Sequence, residues 1–110
     1  MGNKNSYKEQ IAANPRFTKF MKKVLFAVLD IPEGEVRPYA WVAQKSGYPG
    51  AARAVGQVLK KNPYAPHVPC HRVVRSDGSI GGYSGGLEKK RALLKKEGLE
   101  NEADRYTLPS

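Results

Sequence analysis

The sequence predicts a mainly α fold: a winged-helix-like helix-turn-helix domain with an ordered loop packed against it. Three observations predict it. Apolar residues recur at helical spacing in several segments. Two of those segments are short and joined by a Gly-containing turn of about four residues. The period then vanishes between Asn62 and Gly86, a stretch holding eight Gly and Pro residues.

The polar residues 1–13 are expected to form a flexible N-terminal segment. Met1-Gly2 followed by Ser6 fits a myristoylation pattern, which is short and often matches by chance. Asn14-Pro15 is a helix start, with Asn as cap and Pro at the first helical position. Phe17, Phe20, Met21, Val24, Leu25, Val28 and Leu29 then mark a helix over 15–30, with lysines on the opposite face. "IPEGEV" ends it with a turn at Pro32 and Gly34. Pro38 opens a second helix, "YAWVAQKSG", which Gly47 closes. After the turn "YPG", "AARAVGQVLKKN" forms a third helix with Ala51, Val55, Val58 and Leu59 on its apolar face. Arg53, Gln57 and Lys60 share the other side. Residues 38–61 thus read as a helix-turn-helix whose second helix is basic where a DNA reader would be.

Residues 62–86 are expected to be an ordered loop or a few short strands, and such loops in compact domains are usually functional. A last helix runs from Leu87 to Glu97 and stops at Gly98. The polar tail, 99–110, is expected to fray. These boundaries give one domain, 14–98, with no internal repeat.

The 110 residues suit one small domain with one modest core. Lys and Arg outnumber Asp and Glu by 19 to 10, a net charge of +9, which favours a polyanionic partner. No apolar run approaches the ~18 residues of a membrane span. The N-terminus lacks an apolar signal core. A single cysteine, Cys70, forbids an internal disulfide and fits a reducing compartment.

Cys70 lies in "VPCHRVVRSDGSIGGYSGG", and three uses are open to it. A lone cysteine is often an inert core residue. As metal ligands, His67, Cys70 and His71 are only three and crowded into five residues, so no metal is expected. Chemistry needs activation, because a free thiol is only about 3% ionised at neutral pH. His71 could take the proton directly or through one water. Glu97, a carboxylate set against the dipole at a helix C-terminus, is a candidate to orient His71. Lys95 and Lys96 offer a simpler explanation of that carboxylate.

The series "AARAVG", "NP", "PCHRVV", "GGYSGG" and "LLKKEG", in this order and spacing, resembles the alkylguanine-DNA alkyltransferases, or methylated-DNA–protein-cysteine methyltransferases, from about Val24 to Gly98. The resemblance implies single-turnover DNA repair. Cys70 would accept an alkyl group from oxygen-6 of guanine, with His71 as base and Glu97 completing the relay. Asn62 would tie the turn that carries Cys70. Tyr39 would rotate a phosphate and protonate the guanine ring. Arg53 would fill the space left by the flipped base, while small Ala51, Ala52 and Gly56 let the helix approach DNA. Leu59, Tyr83 and Ser84 would wall the pocket, and the carbonyls of Cys70 and Val73 would accept from the exocyclic amine. Lys90 matches a lysine near the pocket, though a solvated helix face explains it nearly as well.

The resemblance further implies double-stranded DNA with alkylated guanine as partner, no cofactor, no membrane contact and a monomer. It places the protein in the cytoplasm at the nucleoid, or in a eukaryotic nucleus. Two features pull apart. The full-length family carries a further N-terminal domain, and only a short segment precedes the first expected helix here. That short format resembles the alkyltransferase-like proteins, which bind the lesion without repairing it and recruit another pathway. In those the motif cysteine is replaced, whereas this chain keeps Cys70.

Overall fold

The computed structural model describes residues 4–109. Their order is α1 (Lys4–Ala13), α2 (Lys19–Leu29), β1 (Arg37–Pro38), α3 (Tyr39–Lys45), α4 (Ala52–Lys60), a single 3-10 turn (Cys70–Arg72), β2 (Val73–Val74) and α5 (Leu87–Lys96). The expected helix-turn-helix is α3 and α4. Gly47, at φ +90°, stops α3 in a conformation glycine adopts without strain.

Helix α2 is the centre of the core. Val24, Leu25 and Val28 on its inner face are at most 1% exposed, and each contributes about 1.5–3 kcal/mol by burial. They pack against Val42 and Ala43 of α3 and Val55 and Leu59 of α4. The helix starts later than the sequence suggested. Thr18 is its cap, accepting from the Met21 N–H at 3.1 Å. Asn14 instead closes a turn: its Oδ1 accepts from the Arg16 N–H at 2.9 Å. Asn-Pro suits a turn as well as a cap, and the side-chain bond decides between them.

The N-terminal segment is not the loose stretch expected. Residues Lys4–Ala13 form α1, with Ile11 wholly buried in the main core. One buried apolar side chain in ten residues leaves no visible period. Residues 1–3, and with them the Met1-Gly2 pattern, lie outside the described residues.

The tail is not frayed either. Tyr106 is 4% exposed and joins Val36, Val74, Ile80 and Leu94 in a second cluster. The Ile80 N–H donates to Asp104 O at 2.9 Å, and the Tyr106 N–H to Gly78 O at 2.8 Å. Gly78, at φ +85°, lets the tail come this close, since a Cβ there would stand 2.5 Å from Tyr106 O.

Strands β1 and β2 pair in parallel, Arg37 with Val73 and Pro38 with Val74. Each is too short to show alternation in the sequence. Their pairing sets the exit of the Cys70–Arg72 turn beside the entrance of α3, so Cys70 and Tyr39 reach one site.

Candidate active site

The loop after α4 is shaped by Asn62. Its Nδ2 donates to Val68 O at 2.9 Å, and its Oδ1 accepts from the Tyr64 N–H at 2.9 Å. The Cys70 N–H in turn donates to Val68 O at 2.8 Å. This knot delivers Cys70, 4% exposed, to the wall of a narrow pocket. Tyr39, Gly56, Leu59, Lys60, Gly82, Tyr83 and Ser84 line the rest of it. Burial pushes the Cys70 thiol up, while an Asn62 hydrogen bond and the Lys90 charge pull the other way. The resting group is therefore a thiol and needs a base.

His71 follows on the same turn, 2% exposed. Its Nε2 lies 2.7 Å from Glu97 Oε2. An ionised carboxylate only accepts, so Nε2 carries the hydrogen and Nδ1 keeps its lone pair. Nδ1 is buried without a hydrogen-bond partner among the described residues. Burial lowers the His71 pKa despite Glu97, so the ring is neutral at neutral pH. A neutral imidazole with a free Nδ1 can take a proton.

Glu97 is fixed from several sides. Burial acts to raise its pKa, but hydrogen bonds from Arg72 and then His71 outweigh that and hold it below the usual carboxylate range. Arg72 Nε donates to Oε1 at 2.9 Å and Nη2 to Oε2 at 2.9 Å, while Nη1 reaches Ile31 O at 2.8 Å. The Gly34 N–H adds a bond to Oε1 at 3.3 Å. Arg72, not Lys95 or Lys96, holds the carboxylate. Sequence reasoning gave Arg72 no role. Its place beside His71 was no signal by itself, because the carboxylate it holds lies 25 residues away.

Lys90 lies beneath the pocket rather than in its lining or on a solvated face. It is wholly buried, and its Nζ donates to Val73 O at 2.7 Å, to Ile80 O and to Gly82 O at 3.0 Å. Burial drives its pKa down to about 8. Val73 is also buried outside the lining, its carbonyl occupied by Lys90. Tyr83 stands edge-on to His71, ring centroids 6.4 Å apart, its pKa pushed up to about 12, chiefly by burial. The Tyr39 hydroxyl donates to Gly82 O at 3.4 Å. Burial raises its pKa and Arg75 opposes the rise.

An open groove continues from the pocket along α4, lined by Tyr39, Ala52, Arg53, Gly56, Arg75, Ser76 and Gly82. Arg53, Gln57 and Lys60 are exposed on this helix, as their spacing required. Ala51 is partly buried at the helix cap, outside the groove lining. Arg75 is a second cation that sequence reasoning did not single out, since a lone Arg in a loop carries no period. No cluster of His, Cys, Asp or Glu among the described residues could hold a metal ion. No helix among them is long and apolar enough to cross a membrane.

Fold and site together define a helix-turn-helix domain whose second helix lines a pocket walled by a buried thiol, with a buried histidine next to it in the chain. The chain belongs to the family described as 6-O-methylguanine DNA methyltransferase, DNA binding domain, whose model matches residues 19–99. It is 49% identical over 89 residues to the methylated-DNA–protein-cysteine methyltransferase of Mycobacterium bovis, covering 81% of this chain and 54% of that one. The chain spans about half the length of the curated relatives it matches. The Mycobacterium tuberculosis OGT solved with DNA superposes with a TM-score of 0.73 at 51% identity, over 76% of this chain and 51% of that one. Schizosaccharomyces pombe Atl1, solved with damaged DNA containing O6-carboxymethylguanine, gives a TM-score of 0.71 at 36% identity, over 86% of this chain and 92% of that one.

Proposed function

We propose that the chain repairs DNA by taking an alkyl group from oxygen-6 of guanine onto Cys70, once per molecule. The observation that carries this reading is the buried thiol at a pocket wall beside His71, whose Nδ1 is unpartnered and whose Nε2 is held by Glu97. Sulfur attacks the saturated carbon, an S–C bond forms, and the C–O6 bond breaks. The thiol proton passes to Nδ1, directly or through one water. Tyr39 gives its phenolic proton to the guanine ring, so the base leaves neutral, and exchange with solvent restores both side chains.

The target base lies inside a duplex and must leave the stack, at a cost of about a few kcal/mol. Arg53, exposed on α4 at the groove, suits the role of filling the vacated place. Leu59, Tyr83 and Ser84 are at hand to wall the alkyl group, and small Ala52 and Gly56 leave room for the DNA strand. The Cys70 carbonyl is the acceptor for the exocyclic amine, with Val73 less suited because Lys90 already engages it.

Incubation with duplex DNA containing O6-methylguanine tests the reading. The intact protein should gain one CH2 unit, on Cys70, and no more with excess DNA. Cys70→Ala should gain nothing and still bind. Transfer in that variant, or repeated turnover, would refute it. The likeness to Atl1 over nearly that whole chain favours a second reading, lesion binding without transfer. Tight binding to the lesion with no mass gain in the wild type would select it.

A further inference from the structure

Helix α1 lies outside the residues that the family model matches, yet it touches the loop that seats the acceptor thiol. Tyr7 stacks on His67, ring centroids 5.3 Å apart and planes at 10°. It also meets Tyr64 edge-on at 6.0 Å. Phe17 also packs edge-on to Tyr64 at 6.1 Å, and Asn14 Nδ2 donates to the Tyr64 hydroxyl at 3.2 Å. The rings of Tyr64 and His67 are thus gripped from the N-terminal segment.

Tyr64 and His67 stand inside the Asn62–Cys70 knot. The Tyr64 N–H bonds Asn62 Oδ1, the Val68 N–H bonds Tyr64 O at 3.0 Å, and Val68 O receives both Asn62 Nδ2 and the Cys70 N–H. An unbroken run of contacts therefore leads from Tyr7 to the backbone of Cys70. Ile11, one turn on from Tyr7 and on the same face of α1, is wholly buried in the main core and anchors the helix there. Aromatic pairs of this kind stabilise beyond the area they bury. That stabilisation is a small share of a domain's stability and a large share of what holds one loop in place.

We infer that Tyr7 is a positioning residue for Cys70: through its stack on His67 and Tyr64, α1 holds the loop that keeps the thiol buried against the pocket. The inference rests on the proposed transfer for its effect on repair, but not for its effect on the thiol. Loosening the loop has opposite consequences for two reactions. A general reagent needs only access, so exposure speeds it. Alkyl transfer needs the thiol in place, so the same loosening slows it.

Cys70 is the only cysteine, so iodoacetamide labels it alone. Tyr7→Ala should label several-fold faster than wild type and accept an alkyl group from free O6-alkylguanine several-fold more slowly. Tyr7→Phe keeps the ring and should restore both rates. Val28→Ala, in the core of α2 and outside the loop's residues, lowers stability and should change neither rate well below its melting temperature. Wild-type labelling in Tyr7→Ala, or faster labelling with unchanged transfer, overturns the inference. So does an equal rise in Val28→Ala. If the wild type transfers nothing while the labelling pattern holds, the repair reading fails and the role of Tyr7 stands.

Discussion

Glu97 caps the C-terminal end of α5, where the helix dipole disfavours an anion by about 0.3–1 kcal/mol. That misplacement made it legible in the sequence as a residue with another duty. Arg72 was not legible, because its partner lies 25 residues away and nothing local demands an ion pair there. The pair decides how the site answers to pH. A base must be neutral, and burial keeps His71 neutral below the ordinary histidine value of 6.5. The transfer rate should therefore hold at neutral pH and fall only as acid brings His71 through its lowered pKa. The same group, with its folded pKa below the unfolded one, contributes stability above the unfolded value and loses it as pH falls. Glu97, also lowered, acts in the same direction at more acid pH. Glu97→Gln frees the tautomer and should slow transfer on the order of a hundredfold. Rate measurements from pH 5 to 8 on both proteins check this, and an acid inflection above 6.5 would contradict it.

At the scale of elements, the four-residue period made α2, α3, α4 and α5 readable, and the turn between α3 and α4 was marked by its glycines. Helix α1 and the folded-back tail were not readable. Each is anchored by one deeply buried side chain, Ile11 or Tyr106, and one residue makes no pattern. Within α4 the sequence shows a glycine that helix formation does not want. A Cβ on Gly56 would meet only Tyr39 Cε1, at an ordinary 3.9 Å, so the fold has room for alanine. Gly56→Ala should raise stability by about 0.5–1 kcal/mol. The added methyl narrows the pocket that Gly56 lines and should slow transfer on the order of tenfold or more. Urea unfolding and transfer kinetics on one preparation read both signs, and a faster or unchanged rate would remove Gly56 from the pocket's working surface.

For the whole molecule, the excess of positive charge was the plainest message of the composition, and the groove shows where part of it is placed. Arg53 and Arg75 both line it, and no acid does. Asp77, the acid closest in sequence to Arg75, faces Arg105 at 3.8 Å and accepts from the Ser79 N–H. Each phosphate contact contributes about 0.9 to the slope of log affinity against log salt. Arg53→Ala combined with Arg75→Ala should flatten that slope by about 1.8 if each meets one phosphate. Binding titrations across salt concentrations measure it, and an unchanged slope would place the DNA elsewhere.

The carboxylate that holds His71 also reaches Gly34, 63 residues back along the chain. A ribosome makes Cys70 and His71 well before Glu97, at about 5–20 residues per second. In a growing chain the sulfur therefore appears before anything orients its base. If Cys70 is the once-only acceptor proposed above, its base is oriented only when α5 has been made and docked, so synthesis and arming are separate events in the life of each molecule.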